Sequence, residues 1–357
     1  MRKKYFSGLP YSEEDYQKGS ERLSDTVSLP EDFVSLDKQK EILKNMKELM
    51  ARHYFLISNK KHPLKHKLSW FALCVLIASV FGPVYFINIE YRFVGFDTLE
   101  AIYFFIGLIL IKIYFSGSYN YAHLAKDLVK QCVAINNGWL YDSKVNYSKG
   151  RDLNAEFPEV FYHGNKIVGV DDEFFGVKKI EAKDYYFKSG LYKYKVKRQR
   201  KSRWYYPEKL KHKTISTHYV YIRLNKKINT QFLLVPEFAK GIFSNFGNKE
   251  INLESHEFNK LFRFQYQGKK ADQELEIAKN LSPAVQLGLI KLAQRRNNFK
   301  FLFSEDTLVF MFNGSLVSGL ETSIFNYNGV KKTDIDAIQK EILEIIDLSV
   351  QVTKYLD

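Results

Sequence analysis

A few residues of this chain combine side chains and spacing that could do chemistry. An acidic triplet, Asp171–Glu173, lies in a predicted turn and could bind a divalent cation. No second group of ligands follows it at a suitable spacing, so a solvated loop is the competing interpretation. His62 and His66 are four residues apart, as two metal ligands on one helix would be, but the proline between them disfavours a helix. We therefore predict no metal site and no cofactor.

The sequence motifs of common catalytic sites are missing. There is no phosphate-binding loop, no GxGxxG, no GxSxG and no HExxH. The two cysteines, Cys74 and Cys132, are too few for a disulfide scaffold or a cysteine-rich zinc module. We predict no catalytic residue and no enzymatic activity. A site that is assembled only in the folded protein is the open alternative.

The strongest chemical signal is a cationic segment with interleaved aromatic residues, KYKVKRQRKSRWYYPEKLKHK at 193–213. Lysine and arginine suit phosphate groups, while tryptophan and tyrosine can stack on bases or lie among lipid headgroups. A hairpin tip without any ligand is a further possibility. The predicted lipid- or polyanion-binding residues are Lys193, Lys195, Lys197, Arg198, Arg200, Lys201, Arg203 and Trp204.

The net charge of the chain comes from this region alone. The 357 residues include 54 Lys+Arg and 40 Asp+Glu, a formal net charge of +14. Residues 178–227 contain 17 basic and three acidic residues, which is also +14. The rest of the chain is therefore neutral in sum. This distribution indicates a cationic arm on a neutral protein, and not a surface that is basic throughout.

Two apolar runs predict a pair of membrane-spanning helices. Leu68–Ile89 has 22 positions without a charged residue, and a second run at about 98–116 has only Lys112 in its interior. A transmembrane helix needs about 20 such residues. The alternative is a buried helical hairpin. Basic and aromatic residues flank the first run, and the predicted membrane-flanking set is Lys60, Lys61, Lys65, Lys67 and Trp70.

The flanks also predict an orientation. The loop between the runs has Arg92 as its only basic residue, so the positive-inside rule places both termini in the cytoplasm. The predicted organisation has four parts. They are a cytoplasmic N-terminal segment with an amphipathic helix (1–66), a two-helix transmembrane hairpin (67–118), a juxtamembrane helix (119–138) and a cytoplasmic α+β domain (139–357).

The α+β class follows from short apolar runs separated by turn residues after residue 139. These runs predict mainly antiparallel strands, among them 159–163, 184–197 and a hairpin of 214–224 with 228–235. Helices are predicted at 282–296, with Ser282 as its cap, and at 334–356. A further amphipathic helix at 35–58 would lie along a membrane surface or pack on the C-terminal domain.

Residues 254–312 resemble an uncharacterised bacterial membrane-protein family, domain-of-unknown-function family 3137. The shared elements are an acidic and aromatic motif, an L-[ST]-P motif that opens a helix, and two short strands. Here they are Glu254, Glu257, Phe258, Phe262, Leu281, Ser282, Pro283, 299–303 and 308–312. The resemblance extends over about 35–312, and the basic insertion at 191–213 departs from it. It implies two spans before a cytoplasmic α+β domain, but no activity and no catalytic residues.

Together these observations predict a bacterial inner-membrane, multi-pass protein that acts as a scaffold or interaction module. Its basic arm would contact an anionic phospholipid membrane. The resemblance also suggests neighbouring membrane proteins of the LemA type as partners. The alternative is a membrane-tethered module that binds nucleic acid or another polyanion.

Overall fold

The structure, a computed structural model, describes residues 21, 28–58, 127–161, 166–198, 211–236, 247–249, 253, 255–266, 270–295, 298–313 and 332–356. Its helices are α1 (Leu36–Ser58), α2 (127–136), α3 (Tyr147–Glu156), α4 (Pro158–Phe161), α5 (His256–Leu261), α6 (Lys270–Asn280), α7 (Pro283–Arg295) and α8 (Lys332–Leu356). Its strands are β1 (Leu140–Asp142), β2 (Lys166–Ile180), β3 (Lys183–Arg198), β4 (Lys211–Arg223), β5 (Phe232–Pro236), β6 (Gly247–Lys249), β7 (Phe262–Tyr266), β8 (Lys300–Ser304) and β9 (Thr307–Asn313).

The strands that the structure describes form one antiparallel sheet in the order β1-β2-β3-β4-β9-β8-β5-β7-β6. Strands β2 and β3 are the longest, with 15 and 16 residues. The sequence predicts that 214–224 and 228–235 pair as a hairpin, and this is wrong. Strand β4 pairs with β3 and β9, and β5 pairs with β7 and β8, because the β8–β9 hairpin is inserted between them.

Side chains on the two faces of the sheet belong to two hydrophobic cores. Because neighbouring residues of a strand point to opposite faces, Val220 and Ile222 of β4 lie in the main core, while Tyr219 lies in the second. Helices α1, α2, α7 and α8 supply apolar residues to the main core. Helices α3 and α4 supply them to the second core. The segment 159–163, predicted as a strand, instead includes most of α4.

Helices α1 and α2 both pack on the edge of the sheet that β1 forms. Met46 of α1 is buried, and its backbone carbonyl accepts a hydrogen bond from Gln131 of α2. Its sulfur atom lies 3.3 Å from the backbone nitrogen of Tyr141 in β1. The amphipathic helix predicted at 35–58 therefore packs on the protein core through the buried residues of one face, as Ile42, Met46 and Met50 show.

The structure contradicts the predicted fold class with its transmembrane hairpin, the membrane assignment and the multi-pass inner-membrane location. No helix within the described ranges is long and apolar enough to cross a membrane. The two longest, α1 with 23 residues and α8 with 25, carry charged residues along one face. Such a helix buries only one side, whereas a span needs apolar residues all round. The predicted hairpin at 67–118 lies outside the described residues.

Candidate functional site

A bulge in strand β2 brings the acidic triplet into the sheet. Asp171 is opposite Leu191 and Phe174 is opposite Ser189, so β2 has one residue more than β3 between these pairs. Asp172 adopts the left-handed backbone conformation, with φ 54°, which aspartate accepts more readily than most residues. The triplet therefore lies inside a strand and not in the predicted turn. The bulge directs its carboxylates to different partners.

The first two carboxylates of the triplet form ion pairs with lysines of β3 and α2. Asp171 pairs with Lys193 on the neighbouring strand β3. Oδ2 of Asp172 lies 2.5 Å from Nζ of Lys130 on α2, and the hydroxyl of Tyr141 donates a 2.7 Å hydrogen bond to Oδ1 of the same carboxylate. Burial is the largest single effect and opposes the ionisation of Asp172. The charge and hydrogen bond of Lys130, together with Tyr141 and Lys193, outweigh it and hold the pKa of Asp172 below its usual value.

Asp127 adds a third carboxyl group to this site. It lies one helical turn before Lys130 and makes no hydrogen bond or ion pair with any residue that the structure describes. Burial, reinforced by the negative charge of Asp172, raises the pKa of Asp127 to about 6. Burial also raises the pKa of Asp171, although Lys193 opposes the shift. We call the six residues the acid–lysine cluster: Asp127, Lys130, Tyr141, Asp171, Asp172 and Lys193.

The charges within the acid–lysine cluster largely cancel. Three carboxyl groups face two lysines, so one negative charge is left over when all of them are ionised. Among the described residues, no group of three or more histidine, cysteine or acidic side chains is placed to hold a metal ion. The cluster can therefore take up a proton at Asp127, and its lysines already occupy the places that a cation would take.

Glu173, the last residue of the triplet, interacts on the α3 side of the sheet. It is 1% exposed, and one carboxylate oxygen lies 2.7 Å from Nζ of Lys149 on α3. The hydroxyl of Tyr219 donates a 2.5 Å hydrogen bond to the same carboxylate. Burial and the negative charge of Glu173 raise the pKa of Tyr219 well above its usual value, so this hydroxyl remains a donor. Gly190 leaves the space, since a Cβ there would lie 2.8 Å from Cγ of Glu173.

Local sequence places Lys149 over this carboxylate. The side chain of Asn146 caps α3 by accepting a 3.0 Å hydrogen bond from the backbone nitrogen of Lys149. The backbone of Asn146 also pairs with Val170 of β2. Gly150 and Gly169 let the helix approach the strand closely, because a Cβ on Gly150 would lie 2.9 Å from Cα of Gly169.

The predicted polyanion-binding residues that are described lie at one end of the β3–β4 pair. Lys193 belongs to the acid–lysine cluster. Lys195 is opposite Lys166 of β2 on one side and Thr214 of β4 on the other. Lys197 and Arg198 end strand β3. The other predicted site residues and the membrane-flanking set lie outside the described residues. They are Arg200, Lys201, Arg203 and Trp204, and Lys60, Lys61, Lys65, Lys67 and Trp70.

Cations are opposite one another over this end of the sheet. Besides Lys195 with Lys166, Arg198 is opposite Lys211, and Lys213 lies two residues further along β4. We call this end of the strands the cationic strand end, and its residues are Lys166, Lys195, Lys197, Arg198, Lys211 and Lys213. Because neighbouring residues of a strand point to opposite faces, Lys166 and Lys195 lie on one face of it, and Lys213, opposite Val196, lies on the other. Like charges directly across a strand pair repel each other. The surface is therefore a region of concentrated positive charge.

The aromatic residues that alternate with these lysines are not available to a ligand. Tyr192 is fully buried and Tyr194 is 8% exposed, both in the second core. The ring of Tyr192 packs edge-on against Phe161 of α4, with centroids 5.0 Å apart. Alternation along a strand places lysines and tyrosines on opposite faces. Base stacking on these two tyrosines, which the interleaved sequence suggests, is therefore excluded.

A serine–histidine pair also lies in the sheet. Oγ of Ser189 and Nε2 of His218 are 2.8 Å apart. Both side chains are buried, at 0% and 3% exposure, and the histidine ring packs against Phe312. An enclosed pair of this kind stabilises the core and is closed to a substrate.

Sequence reasoning did not identify several residues of the site. Asp127, Lys130, Tyr141, Lys149 and Tyr219 belong to no motif. The run of three consecutive acidic residues was the one usable signal, because adjacent carboxylates in a strand require partners of opposite charge. It did not indicate which lysines those partners would be.

No protein-family model, curated protein or solved structure matches the chain. The resemblance of 254–312 to an uncharacterised membrane-protein family stays a prediction, as do the LemA-type partners that it implies.

Proposed function

We propose that this protein is a non-catalytic module that binds a phosphate-rich polyanion, specifically a nucleic acid, through the cationic strand end. The observation that supports this proposal is the unneutralised pair of Lys166 and Lys195. These residues are opposite each other on β2 and β3, and neither makes an ion pair with a residue that the structure describes. Lys193, two residues away, has Asp171 as its partner.

This contrast separates structural lysines from ligand-binding ones. A lysine that stabilises the fold is held by a nearby carboxylate, as Lys130 and Lys149 are. Lys166 and Lys213 are exposed and Lys195 is half-buried. Opposed cations lie only about 5 Å apart at Cβ and repel each other, and a bound phosphate would relieve that repulsion.

The shape of the surface favours nucleic acid over a flat lipid surface. Beyond Lys166 only β3 and β4 continue among the described strands, as a two-stranded ribbon that ends at Arg198 and Lys211. A two-stranded ribbon fits the major groove of duplex DNA. The case for lipid depended on a membrane anchor that would hold the arm near headgroups, and no helix in the described part of the chain could cross a membrane.

The test compares two triple variants of the full chain in binding to a short labelled DNA duplex. One is Lys166→Gln, Lys195→Gln and Lys213→Gln. The control is Lys179→Gln, Lys183→Gln and Lys227→Gln, which removes the same charge elsewhere on the protein. Each lost phosphate contact lowers the slope of log affinity against log salt by about 0.9. We expect the slope of log affinity against log salt to be smaller in magnitude by about 2.7 for the first variant, and to equal the wild-type slope for the control.

Equal slopes for the two variants would refute the proposed surface. Binding of the wild type and of both variants to phosphatidylglycerol vesicles is measured in parallel. A difference between the variants on vesicles but not on DNA would replace the nucleic acid with a lipid surface.

A further inference from the structure

Lys188 of β3 is a half-buried lysine that has no carboxylate partner. Its Nζ lies 4.3 Å from the ring centre of Phe33 and 5.1 Å from that of Tyr221. It makes no ion pair or hydrogen bond with any residue in the described part of the chain. Glu173, whose charge acts on Lys188, already pairs with Lys149 and Tyr219. Among the described residues, the contacts that hold the amine are those with aromatic rings.

The charges around Lys188 favour the neutral amine. Burial is the largest effect, and the positive charges of Lys149 and Arg223 add to it, while Glu173 and Glu156 oppose them. Together they lower the pKa of Lys188 to about 8. At pH 7 about a tenth of this side chain is the free amine, whereas an ordinary lysine is protonated almost completely.

The ring contacts connect this amine to the segment before α1. Phe33 is 6% exposed and packs against Tyr186 and Tyr221, with ring centres 5.8 and 6.1 Å away. Its neighbour Asp32 forms a 2.5 Å ion pair with Arg223. The cation over the ring of Phe33 contributes to this attachment, so a loss of the charge weakens it.

We propose that Lys188 is a site of lysine acylation by small activated acyl groups, and that acylation loosens the attachment of Phe33. The lone pair of Nζ attacks the acyl carbonyl carbon and forms the C–N bond of an amide. The bond from that carbon to the leaving group breaks, and phosphate or a thiolate departs with the electron pair. The nitrogen releases its proton to solvent. No oxidant or reductant takes part.

The product is neutral and larger than the amine. An amide no longer attracts the faces of Phe33 and Tyr221 as a cation does. The added acyl group also has to fit beside rings that are already packed. Both effects weaken the packing of Phe33. The turn that contains Phe33 is then loosened as well, in which the backbone nitrogens of Phe33 and Val34 donate hydrogen bonds to the carbonyl of Pro30.

The test treats the full chain with acetyl phosphate, and in a second arm with acetyl-coenzyme A, at neutral pH. Peptide mass spectrometry follows acetylation of Lys188 and of two control lysines, Lys179 and Lys183, which lie beside the turn between β2 and β3. Since Lys188 has far more free amine, we expect its initial rate to exceed theirs by about tenfold or more. The two arms distinguish an acyl phosphate from a thioester as donor.

Hydrogen exchange gives the second readout. Acetylated protein should exchange the amides of Phe33 and Val34 faster than untreated protein does. The Lys188→Arg variant, which keeps a cation, should show no change after the same treatment. Acetylation of Lys188 no faster than that of Lys179 and Lys183 would overturn the assignment of the site. Unchanged exchange after complete acetylation would overturn its effect on Phe33.

Discussion

Asp127→Asn is predicted to stabilise the protein, and to do so more at high pH than at low pH. The folded state raises the pKa of Asp127 from the ordinary 3.8 to about 6. A carboxyl with a raised pKa favours the folded state only when it is protonated. Its contribution is fully present below about pH 4 and is lost as the pH rises through 6. Above that pH the ionised carboxylate destabilises the fold.

The magnitude follows from the difference between the two pKa values. A difference of about 2 corresponds to about 3 kcal/mol at pH 8. At pH 5 Asp127 is ionised in the unfolded chain but mostly protonated in the folded protein, so about half of the destabilisation at pH 8 is present. Asparagine cannot ionise, so Asp127→Asn should add about 3 kcal/mol to the free energy of unfolding at pH 8 and about half of that at pH 5.

Urea unfolding at the two pH values measures this effect. Asp152→Asn, at an exposed position of α3, is the control and should change the free energy of unfolding by less than about 0.5 kcal/mol. An equal gain for Asp127→Asn at both pH values would mean that it does not arise from ionisation. A loss of stability at pH 8 would refute the reasoning, because it would show that the charge of Asp127 is favourable in the cluster.

Two other predictions concern the carboxylate on the α3 side. Lys149→Met leaves Glu173 buried with Tyr219 as its remaining partner among the described residues, and should cost about 3 kcal/mol in urea unfolding. The double variant Lys149→Met with Glu173→Gln should recover most of that loss, and no recovery would show that the pair does not interact. Gly190→Ala should cost about 1 to 3 kcal/mol in the same assay, since its Cβ would meet Cγ of Glu173 at 2.8 Å. Wild-type stability for this variant would mean that the carboxylate has room to move.

Several elements could be predicted from local sequence. The helix predicted at 282–296 is α7, which begins at Pro283 after a serine whose hydroxyl lies 3.4 Å from the backbone nitrogen of Val285. The helix predicted at 334–356 is α8, and Ile338, Ile342 and Ile346 of its apolar stripe are buried. Both follow from periodicity and end signals within one segment.

Strand pairing could not be predicted in the same way. The hairpin expected from 214–224 and 228–235 fails because β9 is the neighbour of β4, and β9 lies about 90 residues further along the chain. The short loop between β4 and β5 resembles a hairpin connection but leads to a distant position in the sheet. The energy of pairing depends on which faces are buried together, and no single segment contains that information.

The sequence by itself determined where charged residues are concentrated and where lysines alternate with tyrosines. These places are the acidic triplet and the lysine-rich strands with their interleaved tyrosines. Only the tertiary structure decided which of these charges are neutralised. Lys130 and Lys149 are 19 residues apart, and they reach consecutive carboxylates, Asp172 and Glu173, because a one-residue bulge directs these acids to different partners. Lys195 faces Lys166 and remains without a carboxylate among the described residues. Coulomb interactions depend on distance in space and on burial, and both are set by the sheet and not by position along the chain.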